Sequence, residues 1–162
     1  MARDKTLIER GKFKNEINTA LYKSEDIKEL LLGDTLGLSN SEIRKEFKKY
    51  VKSHLFIDDT LTEAKTYIFY DVVFPYLQSN IKTCKILMYL ICSRSILEDY
   101  QKEGYYGDRI DILSQMVEDV LINDEEVANS FGIGSLDLDS VDIYNSNRFY
   151  GCVLTFTVPN FR

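Results

Sequence analysis

The chain has no tryptophan, one histidine, two prolines and three cysteines in 162 residues, and most of these shortages exclude something. His54 is the single imidazole, so a catalytic triad, a histidine general base and a histidine zinc cluster would all rest on it. It sits among lysines at the end of a helical stretch, where an imidazole complements the helix dipole. Cys84, Cys92 and Cys152 make an odd set, and all three lie inside apolar runs. They read as small buried side chains in a reducing compartment, not as a disulfide framework. Cys84 and Cys92 fall in one strand and cannot close on one zinc ion. No apolar run, the strongest being Ile86 to Cys92, approaches the roughly 20 residues that span a bilayer. Arg3, Asp4 and Lys5 lead into charged sequence and not into a signal peptide, so a cytoplasm-like setting is expected. Gly132-Ile133-Gly134 lacks the rest of a dinucleotide fingerprint and precedes a strand, and no phosphate-binding loop is present.

What remains is ordinary in bulk and uneven in placement. A composition of 44% hydrophobic and 28% charged residues is that of a globular protein. A chain of this length is expected to form one domain, burying roughly 70% of its unfolded surface without help from metals or disulfides. Eleven tyrosines and nine phenylalanines suit strands and protein interfaces alike. The net charge of −6 argues against a general nucleic-acid binder. Residues 1–57 carry 12 Lys and Arg against 9 Asp and Glu, whereas residues 58–162 carry 8 against 17. In a protein that stacks head to tail, such asymmetry helps one face find its partner. The plain alternative is that it reflects which helices are solvated.

Periodicity divides the chain into a helical, mildly basic front (1–57) and an acidic back of sheet plus helix (58–162). Leu7, Phe13, Ile17 and Leu21 mark a helix over Thr6–Tyr22. Ser24 and Gly33 bracket a second helix with Ile27, Leu30 and Leu31 as its stripe. Ser39 and Glu42 have capping-box spacing and open a third through about Ser53, with Lys45, Lys48, Lys49 and Lys52 outward. Strand alternation then sets in over Thr66–Phe74, which Pro75 is expected to stop. Thr83–Ser93 is apolar on both faces and should be central. Asp108 caps a helix through Ile122, and residues 123–134 read as a loop. Leu136–Ile143 is a strand whose alternation slips near Ser140, as at a bulge. A turn at 145–147 leads to the last strand, Arg148–Val158. The expected fold is α+β, a small mainly antiparallel sheet of about four strands packed by helices in the order α-α-α-β-β-α-β-β.

Two acidic groups invite a chemical reading. Asp137, Asp139 and Asp142 lie in a strand and lack the glycine and closing glutamate of a calcium loop, so they read as a solvated face. Glu63-Ala64-Lys65 with Asp58 and Asp59 superficially matches a restriction-type nuclease site. Its acids are too close along the chain to come from paired strands, and the acidic back half would repel a phosphate backbone. No catalytic residue, cofactor or metal is expected, and the protein is not expected to be an enzyme.

One series of segments is more specific. It runs "DIKELLLG", "TEAKTYIFYDVVFPY", "CKILMYLICS", "DRIDILSQMVEDVL", "GIGSLDL" and "NRFYGCVLTFTVPNFR" in that order. Across Asp26–Arg162 this resembles the tail terminator and neck proteins of tailed bacteriophages, with Tyr67–Val73, Arg109–Asp111–Leu113, Gly134–Ser135–Leu136 and Tyr150-Gly151 as the closest points. The front helix, Thr6–Tyr22, departs from that pattern. The resemblance implies a non-enzymatic virion protein, assembled in the host cytoplasm into a homo-oligomeric ring of six or twelve copies. Its neighbours would be neck, connector or tail-tube proteins, with no membrane and no specific nucleic acid as partner. A baseplate or scaffolding role is the alternative. In such a ring the acids Asp58, Asp59 and Glu63 are candidates to meet Arg44, Lys45, Lys48 and Lys49 of the next subunit.

Overall fold

The computed structural model describes residues 6–57, 61, 63–77, 82–124 and 136–158. Its helices are α1 (Thr6–Lys23), α2 (Glu25–Leu32), α3 (Asn40–Tyr50) and α4 (Arg109–Glu118). Three of them open on an oxygen that accepts otherwise unpartnered backbone N–H groups. Ser24 Oγ accepts from Ile27 N–H at 3.2 Å, and Gly33, at φ 71°, closes α2 by donating to Glu29 C=O. Ser39 and Glu42 form the expected reciprocal box at the head of α3. Asp108 Oδ1 accepts from the N–H groups of Ile110 and Asp111, both at 2.9 Å, while the Asp111 carboxylate accepts from Asp108 N–H. Asp108→Ala should therefore cost about 1–2 kcal/mol in urea melts. Beyond Glu118 the helical path continues as a wider π turn, Asp119–Asn123.

The strands are β1 (Val51–Lys52), β2 (Thr66–Leu77), β3 (Lys82–Ser93), β4 (Asp137–Asn145) and β5 (Phe149–Val158), in the spatial order β1-β2-β3-β5-β4. The expected four strands are present with β3 at the centre, and all their mutual pairings are antiparallel. The fifth, β1, was not foreseen. Val51 turns extended (φ −122°, ψ 117°), so the third helix stops at Tyr50 instead of about Ser53. Val51 and Lys52 then pair in parallel with Ile68 and Phe69. Pro75 does not end β2: the ladder to β3 slips between Val73 and Tyr76 and then resumes. A proline is tolerated at such an irregularity, where its missing N–H breaks no regular rung. The slip expected near Ser140 is real, an irregularity between Leu138 and Ser140 opposite β5.

One large core lies on the helix-bearing face. It joins Phe13, Ile17 and Leu21 of α1, Leu30 and Leu31 of α2, and Ile110, Leu113 and Val117 of α4 to Ile68, Tyr70, Ile86, Met88, Leu90, Leu154 and Phe156 of the sheet. The register sets Ile86 against Phe156 and Met88 against Leu154. Leu7, placed in the apolar stripe of α1 by its spacing, is instead exposed, and Thr6 is buried in its stead.

The opposite face carries a second, smaller core of Tyr50, Tyr67, Phe69, Ile91 and Phe149, with Ile57 and Leu61 packed against it. Tyr67 and Phe69 are thus buried. Tyr50, Ile57 and Leu61 pack against them at this end of the strand.

The charged front helix is tied to β2 by its basic residues. Arg10 Nη2 lies 2.7 Å and Lys14 Nζ 2.9 Å from the Asp71 carboxylate, and Arg10 Nε donates to Val72 C=O at 2.8 Å. Burial works to raise the Asp71 pKa. The hydrogen bonds from Lys14 and the Val72 N–H and the charges of Lys14 and Arg10 outweigh it, leaving the pKa lowered. A lowered carboxylate pKa contributes stability that is complete above the unfolded value, about 4, and lost as pH falls through the folded one. The destabilisation caused by Asp71→Asn should accordingly be present at neutral pH and fade in melts taken below about pH 4.

Candidate functional site

α3 positions the basic residues singled out in the sequence. Its buried side, Phe47 and Tyr50, packs on the sheet, which turns Arg44, Lys45, Lys48 and Lys49 outward to exposed positions. They do not form one uniform patch. The Arg44 guanidinium lies over the Tyr22 ring, 5.2 Å from its centroid. Lys45 lines a groove of about 360 Å³ with Leu32, Leu38, Tyr50 and Lys65. Lys49 donates to Glu46 at 2.8 Å, and this hydrogen bond is the main reason its pKa is raised. Lys48 borders a shallow groove with Val51 and Lys52, and its carbonyl accepts from the Lys52 ammonium at 3.4 Å. The Lys52 ammonium also stands over the Phe56 ring at 5.5 Å.

The acids proposed to meet this helix fare differently. Asp58 and Asp59 lie outside the described residues. Glu63 is exposed and close to α3 of its own chain: its charge adds to the upward shifts of Lys49, Tyr50 and Tyr67. The carboxylate that Lys49 hydrogen-bonds is Glu46, and Glu63 acts on it only through its charge.

His54 is exposed, past the end of α3, with its ring edge-on to Phe56. Because α3 ends four residues earlier than His54, at Tyr50, the histidine does not cap that helix. Among the described residues, no three histidines, cysteines or carboxylates come together as a metal site. Nor is any described helix long and apolar enough to cross a membrane.

All three cysteines are free and buried. Burial pushes the Cys84 and Cys92 thiols up to about 12. It also raises Cys152, against a hydrogen bond with Ser114 Oγ at 3.3 Å. Since the thiolate is the reacting species, native protein at neutral pH should react with a thiol reagent far more slowly than unfolded protein. Labelling of even one cysteine at the unfolded rate would contradict this placement.

A second surface was missed in the sequence. β4 is the last strand of the sheet, and it exposes Val141 (60%) and Ile143 (76%). Their register partners on β5 are Leu154 and Cys152, so both belong to the helix-bearing face, at a place that none of the described helices covers. Asp137, Asp139 and Asp142 are exposed along the same strand. Asp139 accepts from the Thr157 hydroxyl and lies 3.7 Å from Lys85 Nζ, while Asp142 accepts from Ser140 Oγ. The slipped alternation signalled which face Val141 and Ile143 take. Their exposure follows from β4 being an edge strand, which local sequence does not encode.

Among known families, the one described as YomW has a model that matches residues 15–158. It is a Bacillus phage-type family, and the match indicates a phage-derived protein. No curated protein and no solved structure matches the chain.

Proposed function

The chain belongs to the YomW family, and on that premise we propose that it is a structural virion protein. It forms a homo-oligomeric ring at the head–tail junction of a tailed phage, as a tail terminator or neck subunit. It performs no catalysis, is assembled in the host cytoplasm, and docks on neighbouring neck, connector or tail-tube proteins. The observation that carries this reading is a phage-derived α+β chain whose sheet ends in two chemically different borders. One is the lysine-rich α3–β1 border and the other the acidic, partly apolar β4 border. A closed ring needs two different patches on each subunit, because its contacts are heterologous.

Purified full-length protein should sediment as a closed assembly of six or twelve copies and appear as rings in negative stain. A phage lacking the gene should accumulate separate heads and tails. Joined particles with defective baseplates, or arrest before capsid closure, would favour the baseplate or scaffolding role instead. Metal-dependent cleavage of DNA by the purified protein would overturn the non-enzymatic reading.

A further inference from the structure

We infer that the β4 edge of one copy docks on the α3–β1 edge of the next, joining copies of this chain head to tail. The inference rests on the ring reading and specifies the contact within it.

The two edges are separated by four strand spacings, or about 19 Å, at opposite ends of the sheet order. On β4, Val141 and Ile143 form an apolar strip on the helix-bearing face, and Asp139 and Asp142 are exposed along the same edge on the opposite face. An exposed apolar edge strand invites pairing, and charge along it restricts which partner is accepted. Two β4 edges would bring carboxylates against carboxylates, so the strip is not suited to a symmetric contact with itself.

The complementary surface is present on the same chain. Beyond β1, Leu55 and Phe56 are exposed at 53% and 37%, and the Lys52 ammonium lies over the Phe56 ring. Lys48, in the last turn of α3, is exposed, and its carbonyl accepts from the Lys52 ammonium at 3.4 Å. This border combines exposed apolar side chains with lysines, and the β4 border combines an apolar strip on one face with carboxylates on the other. Burying the first against the second removes both apolar patches from water and pairs opposite charges at the periphery. Because the two patches differ and sit on opposite borders, repetition of the contact adds copies in one direction until a ring closes or a filament grows.

Two variants and their mixture test this. Val141→Asp with Ile143→Asp disables the β4 edge, and Lys48→Glu with Lys52→Glu disables the other. All four side chains are at least partly exposed, so circular dichroism and melting should show an intact fold; Ile143→Thr, which retains strand propensity, is the milder control. By sedimentation and mass photometry the parent should form rings. Each double variant should be monomeric, with association weakened about tenfold or more, the effect of losing one well-buried anchor. A 1:1 mixture should stop at dimers, because one intact edge of each kind remains while the two altered edges are both acidic and repel. If the parent forms rings and the β4 variant does so equally well, the contact is overturned while the ring reading stands. If the parent stays monomeric at every concentration tried, the ring reading falls and the contact with it. If the lysine variant alone forms symmetric dimers, the head-to-tail arrangement is wrong.

Discussion

Leu154→Ala is expected to lower the unfolding free energy by about 3 kcal/mol, within the roughly 2–5 kcal/mol typical of buried leucine truncations. Leu154 lies on β5 between Met88 of β3 and Val141 of β4 and is almost wholly buried. On the β3 side the cavity would be bounded by Met88 and by α4, which packs over that strand, and these cannot close in without moving the ladder. On the β4 side Val141 is more than half exposed, so part of the hole can collapse or open to solvent. That mixed boundary argues for the middle of the range, not its top. In thermal melts the change corresponds to about 6–12 °C for a chain of this size. Val153→Ala is the matched control, because Val153 points to the other face and is only partly buried. It should cost clearly less. A strand shifted by one residue would exchange the two faces and reverse that order. A loss below about 0.5 kcal/mol for Leu154→Ala would likewise show that the phase of β5 is wrong.

The elements that could be read from the sequence are those whose signal is local. β3 is a long run apolar on both faces, β5 carries long alternation, the caps at Ser24, Ser39 and Asp108 act within a turn of their own helices, and the slip in β4 announces its own irregularity. What escaped depends on distant partners. β1 is two residues long, and only pairing with Ile68 and Phe69 makes it a strand. Leu7 falls in the helical stripe of α1, yet it is exposed and Thr6 is buried. Alternation assigns Tyr67 and Phe69 to a face without saying what covers that face; here Tyr50, Phe56, Ile57 and Leu61 pack against it. The candidate site divides in the same way. Outward lysines follow from helical spacing in α3, whereas the exposure of Val141 and Ile143 required knowing that β4 ends the sheet. Nothing in the local sequence separates an edge strand from an inner one when acids alternate with apolar residues in this way.

Gly151 is the position where the smallest change is expected to do the most damage. In the sequence it is a single glycine inside a strand pattern, which marks either a bulge or a close approach of another backbone. β5 is in register with both neighbours here, Gly151 facing Ile91 of β3 and Tyr144 of β4, so there is no bulge. The close approach is present. A Cβ on residue 151 would run into the carbonyl oxygen of Leu90 and lie 2.8 Å from both Leu90 C and Ile91 Cα. Overpacking usually costs about 1–3 kcal/mol because side chains can rotate or slide aside. Here the opposing atoms are backbone, within the longest uninterrupted ladder of the sheet, and they yield only if β3 and β5 separate locally. Gly151→Ala should therefore reach or exceed about 3 kcal/mol, with faster hydrogen exchange at Leu90, Ile91 and Cys152. Gly11 supplies the contrast. It lies within α1, and a methyl group added there would meet nothing within 4 Å, so Gly11→Ala should stabilise the protein by up to about 1 kcal/mol through helix propensity. Opposite signs for the two substitutions in parallel urea melts are the expected result. A cost below about 0.5 kcal/mol at Gly151 would mean that β3 and β5 stand farther apart at this rung than the structure places them.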